Sequence, residues 1–161
     1  MPDTDLPENL LAPLHAFRFE VRFMTKSRGD VSICSGAFSE CSGLEASMEP
    51  KVIKAGGNNY GAAQRAGPVS FATVVLKRGM TTTRDAFKWF QLVTGGAYAY
   101  RLWAEIDMQD STGAPVVTWN LDRCMPVKFK AADLNAKGGD IGIEELHLVH
   151  EGLRLVPAGG G

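Results

Sequence analysis

Cysteine is scarce and odd in number: the 161-residue chain carries only Cys34, Cys41 and Cys124. Three thiols cannot all pair, and none of their spacings is CxxC, so the chain lacks the disulfide framework of a small secreted scaffold. Reduced thiols packed as small hydrophobes are the expectation. An excess of either charge is also missing. Lys and Arg number 17 against 18 Asp and Glu, a formal net charge of −1. That excludes the chain-wide basic footprint of a nucleic-acid binder and leaves room only for a local patch. Long hydrophobic runs are absent too. The most apolar stretch, Ala72 to Leu76, already contains Thr73 and falls far short of the ~20 residues of a membrane-spanning helix. The first residues, Met1-Pro2-Asp3-Thr4-Asp5, are acidic where a secretory signal is basic. Synthesis in the cytoplasm without a signal peptide is expected, with no stable membrane association of the subunit.

What is present suits one globular domain. At 17.4 kDa, a chain of this length buries roughly 70% of the surface its unfolded form exposes. Leu, Ile, Val and Phe together supply 39 residues, above the share of about 20% below which chains stay disordered. Glycine, with 18 residues, exceeds its typical share of about 7% and favours a turn-rich, mainly β chain.

Patterning divides the chain into an N-terminal arm over 1–16, a single β domain over 17–156 and a flexible tail over 157–161. Phe17, Phe19, Val21 and Phe23 alternate with Arg18, Glu20 and Arg22, the period of a half-buried strand. A turn at Ser27-Arg28-Gly29-Asp30 returns the chain through Val31–Ile33, predicting a hairpin over 17–34. After a loop over 35–44, Met48–Lys54 reads as a short strand. Ala55–Gly67, closed by Pro68, holds four glycines in thirteen residues and no apolar period, which predicts a long loop of the kind that is usually functional. Val69–Lys77 reads as a central strand. Thr82 as N-cap with Asp85 three residues on resembles a capping box. Ala86, Trp89, Phe90 and Val93 follow at helical spacing, with Gly95-Gly96 as the stop. Alternation from Tyr98 to Met108, a turn at Asp110–Gly113 and the set Val117, Trp119, Leu121 predict a second hairpin. Met125, Val127 and Phe129 form a further strand. Ile141–Val149 forms the last, with a bulge near Glu144-Glu145 to reconcile Ile141 and Ile143 with Leu146 and Leu148. The expected architecture is mainly β, an antiparallel two-sheet sandwich or barrel with one flanking helix.

No reaction chemistry emerges. His147 and His150 stand three apart in a strand and face opposite sides, so they cannot share a metal ion. Adjacent Glu144 and Glu145 point apart for the same reason. Arg28-Gly29-Asp30 spells an adhesive tripeptide but also a plain hairpin turn. Gly56, Gly57 and Gly61 miss both GxGxxG and the P-loop. There is no GxSxG, and Phe87, Trp89 and Phe90 read as core contacts of a helix. The expectation is a protein that is not an enzyme and takes neither cofactor nor metal.

Several segments in register resemble a known family. Phe38-Ser-Glu-Cys-Ser-Gly-Leu-Glu45 is similar to the "FsEvSGLe" signature of contractile-tail tube proteins. Lys54-Ala-Gly-Gly-Asn-Asn59 resembles their "y-x-e-GG-x-N" segment. Val74-Val-Leu-Lys-Arg-Gly-Met-Thr81 resembles "itLkrGit", again followed by a short helix with a Trp. Asp107–Trp119 is similar to the late hairpin, and Ile143–Leu153 to the closing "iEeleLvhEGl". Matched positions are Phe38, Glu40, Ser42, Gly43 and Leu44; Lys77, Arg78 and Gly79; Trp89; and Glu144, Glu151 and Gly152. Cys41 replaces an apolar β-branched residue, Ala55 replaces an acid, and the N-terminal arm is extra.

The resemblance implies hexameric rings stacked into a hollow tube of a phage tail or extracellular injection system. The implied partners are other copies of the chain, a sheath protein, baseplate or tail-initiator proteins, tube paralogues, and DNA or protein effectors in the lumen. Long alternating strands with open edges suit ring closure, because neighbours can pair those edges. The Gly-rich loop, with Gly56, Gly57, Asn58, Asn59, Tyr60, Gly61, Gln64 and Arg65, is the candidate for assembly contacts, since small residues permit close backbone approach. A monomeric β-sandwich binding or adaptor module is the alternative.

Overall fold

The computed structural model describes residues 18–25, 30–36, 38–54, 56–57, 60–80 and 84–157. Twelve strands and one helix follow in chain order: β1 Phe19–Met24, β2 Asp30–Gly36, β3 Glu40–Ser42, β4 Ala46–Met48, β5 Lys51–Ile53, β6 Ala63–Arg65, β7 Val69–Phe71, β8 Val74–Gly79, α1 Asp85–Thr94, β9 Leu102–Gln109, β10 Pro115–Lys130, β11 Ile143–Val149 and β12 Gly152–Pro157. All pairings among the described residues are antiparallel. The N-terminal arm, Phe17, the Ser27–Gly29 turn residues, Ala55, Asn58, Asn59, Thr82 and the tail beyond Pro157 lie outside the described residues.

The first hairpin forms as expected, with Val21 and Phe23 buried and Arg22 exposed. It opens a sheet ordered β2-β1-β9-β10, with β12 also on β10; the second sheet runs β10-β11-β8-β3. The sheets share β10, and the described residues close no barrel. The sequence suggests two strands, over 117–121 and 125–129; the structure has one strand of 16 residues that bends between the sheets. Two extra residues bend it. Leu121 pairs with Ala104 but Cys124 with Leu102, and Pro126 pairs with Leu148 but Lys128 with His147. Arg123, at φ 50°, turns the chain at the first of these bulges. β11 and β12 follow one another along β10, with Val149 opposite Met125 and Gly152 opposite Asp122, so the sheets meet at one corner.

One core fills the space between the sheets: Val21, Phe23, Val74, Leu76, Leu102, Ala104, Ile106, Leu121, Cys124, Leu146 and Leu148, closed by Ala86, Trp89 and Val93 of α1. Trp89 meets Phe23 edge-on at 5.0 Å between ring centroids, the favoured geometry of an aromatic pair. The helix begins later than its sequence suggests. Asp85 is its first residue, preceded by Arg84 at φ 57° with no side-chain cap bond, so Asp85 does not sit at the third position of a capping box. The left-handed Arg84 prevents the helical turn from extending backwards. The glycine stop holds: the Gly95 amide donates to the Gln91 carbonyl at 2.8 Å, and Gly96 adopts φ 141°.

Three other expectations need correction. Tyr98 precedes β9 rather than starting it, because the Tyr100 amide closes a turn onto the Ala97 carbonyl at 3.0 Å. Val69–Lys77 is split into β7 and β8, which belong to different sheets. β11 carries no bulge: Ile143 through Leu148 pair without a break with Gly79 through Val74. The inward residues are Glu144, Leu146 and Leu148, while Ile141 and Ile143 face solvent. A buried glutamate takes the place expected for isoleucine.

Candidate assembly site

The residues of the sequence motifs converge on the second sheet and on the corner. On its inner side, Arg78 Nε donates to Glu144 Oε1 at 2.5 Å, with both side chains under 10% exposed. The guanidinium lies 5.4 Å from the centroid of the Phe38 ring. Three motifs are thereby tied into one buried cluster. A buried carboxylate is tolerable because it is both paired and hydrogen-bonded. On the outer side, Glu40, Lys77 and Glu145 stand in register across three strands. Lys77 Nζ lies 3.5 Å from Glu40 and 3.8 Å from Glu145, and His147 Nε2 sits 3.1 Å from Glu145. The hydrogen bond from His147 is the main reason the Glu145 carboxyl titrates below its ordinary range.

The glycines of these motifs have separate causes. Gly43 adopts φ 88°, and a Cβ there would stand 2.1 Å from the Thr73 carbonyl oxygen. A Cβ on Gly152 would stand 2.5 Å from Asp122 Oδ2. At the same corner Arg123 pairs with Glu151, and Arg154 Nη2 donates to Asp122 Oδ1 at 2.7 Å. Ser42 pairs with Val75, Leu44 packs on the core, and Trp89 is fully buried. Gly79 is different: a Cβ there would make only ordinary contact, at 3.5 Å from Ile141. Phe38, Leu44, Arg78, Trp89 and Glu144 pack inside the frame, while Glu40, Lys77 and Glu151 are partners of surface ion pairs.

The assembly candidates lie elsewhere, on an arm over residues 46–71. It consists of two short ladders, β4 with β7 and β5 with β6, which among the described residues pair only with each other. The expected loop over 55–67 is therefore shorter. Gln64 and Arg65 belong to β6, opposite Val52 and Lys51. Gly56, Gly57, Tyr60 and Gly61 cluster between the strands of the outer ladder, with Gly57 at φ 85° and Gly61 at φ 128°. Tyr60 is 100% exposed, and Met48, Val52, Ile53 and Val69 are each between 45% and 57% exposed. The sequence reading of Met48–Lys54 as one short strand is replaced by the end of β4 and the whole of β5. Tyr60 was among its assembly candidates, while the exposure of Met48, Val52, Ile53 and Val69 was not foreseen, since strands of three residues leave too short a record of period two.

No group of three His, Cys, Asp or Glu among the described residues could hold a metal ion. A cleft of about 570 Å³ on the outer side of the second sheet is polar, with Glu40, Lys77, Lys130, Asp133, Asp140 and Glu145 on its walls. Burial pushes the thiols up, to about 11 for Cys41 and about 12 for Cys124, so both stay protonated at neutral pH as packed side chains. No helix among the described residues is long and apolar enough to cross a membrane.

The family model for the T4-like virus tail tube protein gp19 matches residues 15–154. The chain belongs to this tail tube family. Solved structures agree with the tail tube fold. One from the anti-feeding prophage baseplate is 25% identical with a TM-score of 0.75, covering 92% of this chain and 98% of its own. One from the sheath–tube complex of the PVC extracellular contractile injection system is 18% identical with a TM-score of 0.76, covering 92% and 95%. The Hcp1 protein of E. coli EAEC 042 is 13% identical with a TM-score of 0.53, covering 90% and 93%. Comparison with curated protein sequences finds no match. The tail tube family is one of structural proteins.

Proposed function

We propose that the chain is the repeating subunit of the inner tube of a contractile tail or contractile injection system. Six copies close into a ring, rings stack, and DNA or effector cargo passes through the lumen. The family match over residues 15–154 carries this reading, and the likeness to a chain of the anti-feeding prophage baseplate supports the contractile setting. The physics points the same way. β2 and β3 end the sheet order and, among the described residues, leave edges that a neighbour in a ring can pair. A ring is a head-to-tail assembly whose rotation closes, and stacking needs a second, axial contact. The arm offers one, because its exposed Met48, Val52, Ile53, Tyr60 and Val69 gain from burial on another subunit. Gly56, Gly57 and Gly61 then allow close backbone approach at its tip.

Its partners are a sheath protein around the tube, and baseplate, initiator and paralogous tube proteins at its ends. The subunit is made in the cytoplasm and works inside the assembled particle. Size-exclusion chromatography and negative-stain microscopy test the proposal. Rings or tubes of uniform width are expected, from the chain alone or with its initiator. A strict monomer at high concentration, even beside baseplate proteins, would instead support a β-sandwich binding or adaptor module.

A further inference from the structure

We propose that His150 is an acid-sensitive latch on the root of the arm: neutral, it holds the Ala46–Phe71 end of the arm against the corner between the sheets, and its protonation releases that end while the sheets stay folded. His150 sits in the bend between β11 and β12 and is 8% exposed. Its Nδ1 donates to the Gly152 carbonyl at 2.9 Å, which leaves the lone pair on Nε2. Nε2 is itself buried and, among the described residues, has no hydrogen-bond partner. The ring lies 5.0 Å from that of Phe71. Phe71 pairs with Ala46 in the first rung of the inner ladder, and the next amide, Ala72, donates to the Glu45 carbonyl at 3.1 Å.

The charges around the bend do not compensate a proton on this ring. Asp122 of β10 favours the charged imidazole, but Arg154 of β12 already engages its carboxylate at 2.7 Å. Arg123 and Glu151 pair with each other on the solvent side, and Phe71 brings no charge. Burial outweighs both the Gly152 carbonyl and Asp122, which favour the charged ring, and holds the imidazole below its ordinary 6.5. A second N–H on the ring would point into space without an acceptor. The charged ring reaches water by parting from Phe71. The arm root is the element that yields, since β4 and β7 pair only with each other and Ala46, Ser47 and Met48 are exposed, whereas β11 and β12 are both held by β10. Because the folded imidazole is depressed, the latch is fully closed above the ordinary value and weakens as pH falls below it.

Hydrogen exchange of the full chain, followed from about pH 8 to about pH 5 and corrected for intrinsic rates, tests the latch. Opening at 46–48 and 69–72 should rise as pH falls below 6.5, by at most about tenfold per unit, and level off once the closed imidazole itself titrates, with β9 and β10 unchanged. His150→Asn, whose amide can still donate to the Gly152 carbonyl, and His150→Phe should flatten the profile, while His147→Asn keeps it. Should neither His150 variant fold, the wild-type protein decides: arm-root opening must track the titration of the His150 imidazole seen by NMR. A pH-independent arm root, the same acid response in a folded His150 variant, or equal acceleration in β9 and β10 would each overturn the proposal.

Discussion

At the scale of single residues, the Arg78–Glu144 pair is the most exacting feature of the fold. Both side chains are over 90% buried and face each other across β8 and β11. Removing one partner leaves an uncompensated buried charge, which typically costs about 3–5 kcal/mol. Glu144→Ala should therefore lower stability by that amount in chemical denaturation. The double change Arg78→Met with Glu144→Leu should recover much of the loss, because it leaves no charge behind. Glu145→Ala, one residue away on the solvent side, should change stability little. A similar loss from both alanine variants would show that the inner pair is not the special one. The sequence showed that adjacent Glu144 and Glu145 must point apart, one inward and one to solvent. It did not show which one is buried, because hydropathy sets Ile141 and Ile143 inside and the Arg78 partner that reverses the order lies on a different strand. The expectation of reduced, packed thiols did hold for Cys41 and Cys124, both free, with burial the main cause of their raised pKa values.

At the scale of elements, periodicity was a sound guide wherever one side faces the core over several residues. β1, the Leu102–Ile106 part of β9, and the Ala86–Trp89–Val93 stripe of α1 lie where their patterns put them, whereas Phe87, read as a core contact, is 43% exposed. The stripe gives a direct test. Trp89 is fully buried against Phe23, so Trp89→Ala should lower stability by roughly 3–5 kcal/mol, read as a fall in melting temperature. An unchanged melting temperature would mean that the helix contributes little to the subunit's core. What periodicity could not show is where an element bends or stops for reasons outside itself. Arg84 and Arg123 both adopt positive φ, a conformation that local sequence disfavours and tertiary contacts impose. One of them delays the start of α1; the other turns β10 from one sheet into the next. The alternating pattern pauses at Asp122-Arg123, and the pause reads equally well as a loop between two strands. Likewise β6 has only three residues, so it looks like a continuation of the Gly-rich loop, whereas its partner β5 falls within the expected strand over 48–54.

At the scale of the whole molecule, the division between frame and arm sets what each part does. The matched motif positions lie in the two-sheet frame and on α1. The arm stands apart from both sheets in its pairing and exposes Val52, Ile53 and Tyr60, which one subunit alone gives no reason to expose. Replacing residues 51–66 with a short Gly-Ser turn should therefore separate folding from assembly. The deletion removes β5, β6 and the tip but no member of the core cluster. Closing a shorter connection changes chain entropy by only about 0.6 kcal/mol per halving of its length, so the two sheets and α1 should remain. In a tube the same contact recurs on every subunit, and a small loss at each one multiplies through the stack. Circular dichroism should show a native-like β signal, and electron microscopy should show rings or monomers but no tubes. A second deletion confined to residues 56–61 keeps both ladders and tells the tip from the strands: tubes that survive it assign the contact to the exposed strand residues. Full tubes from the larger deletion would make the arm a mere surface connection, and an unfolded product would place it in the core after all.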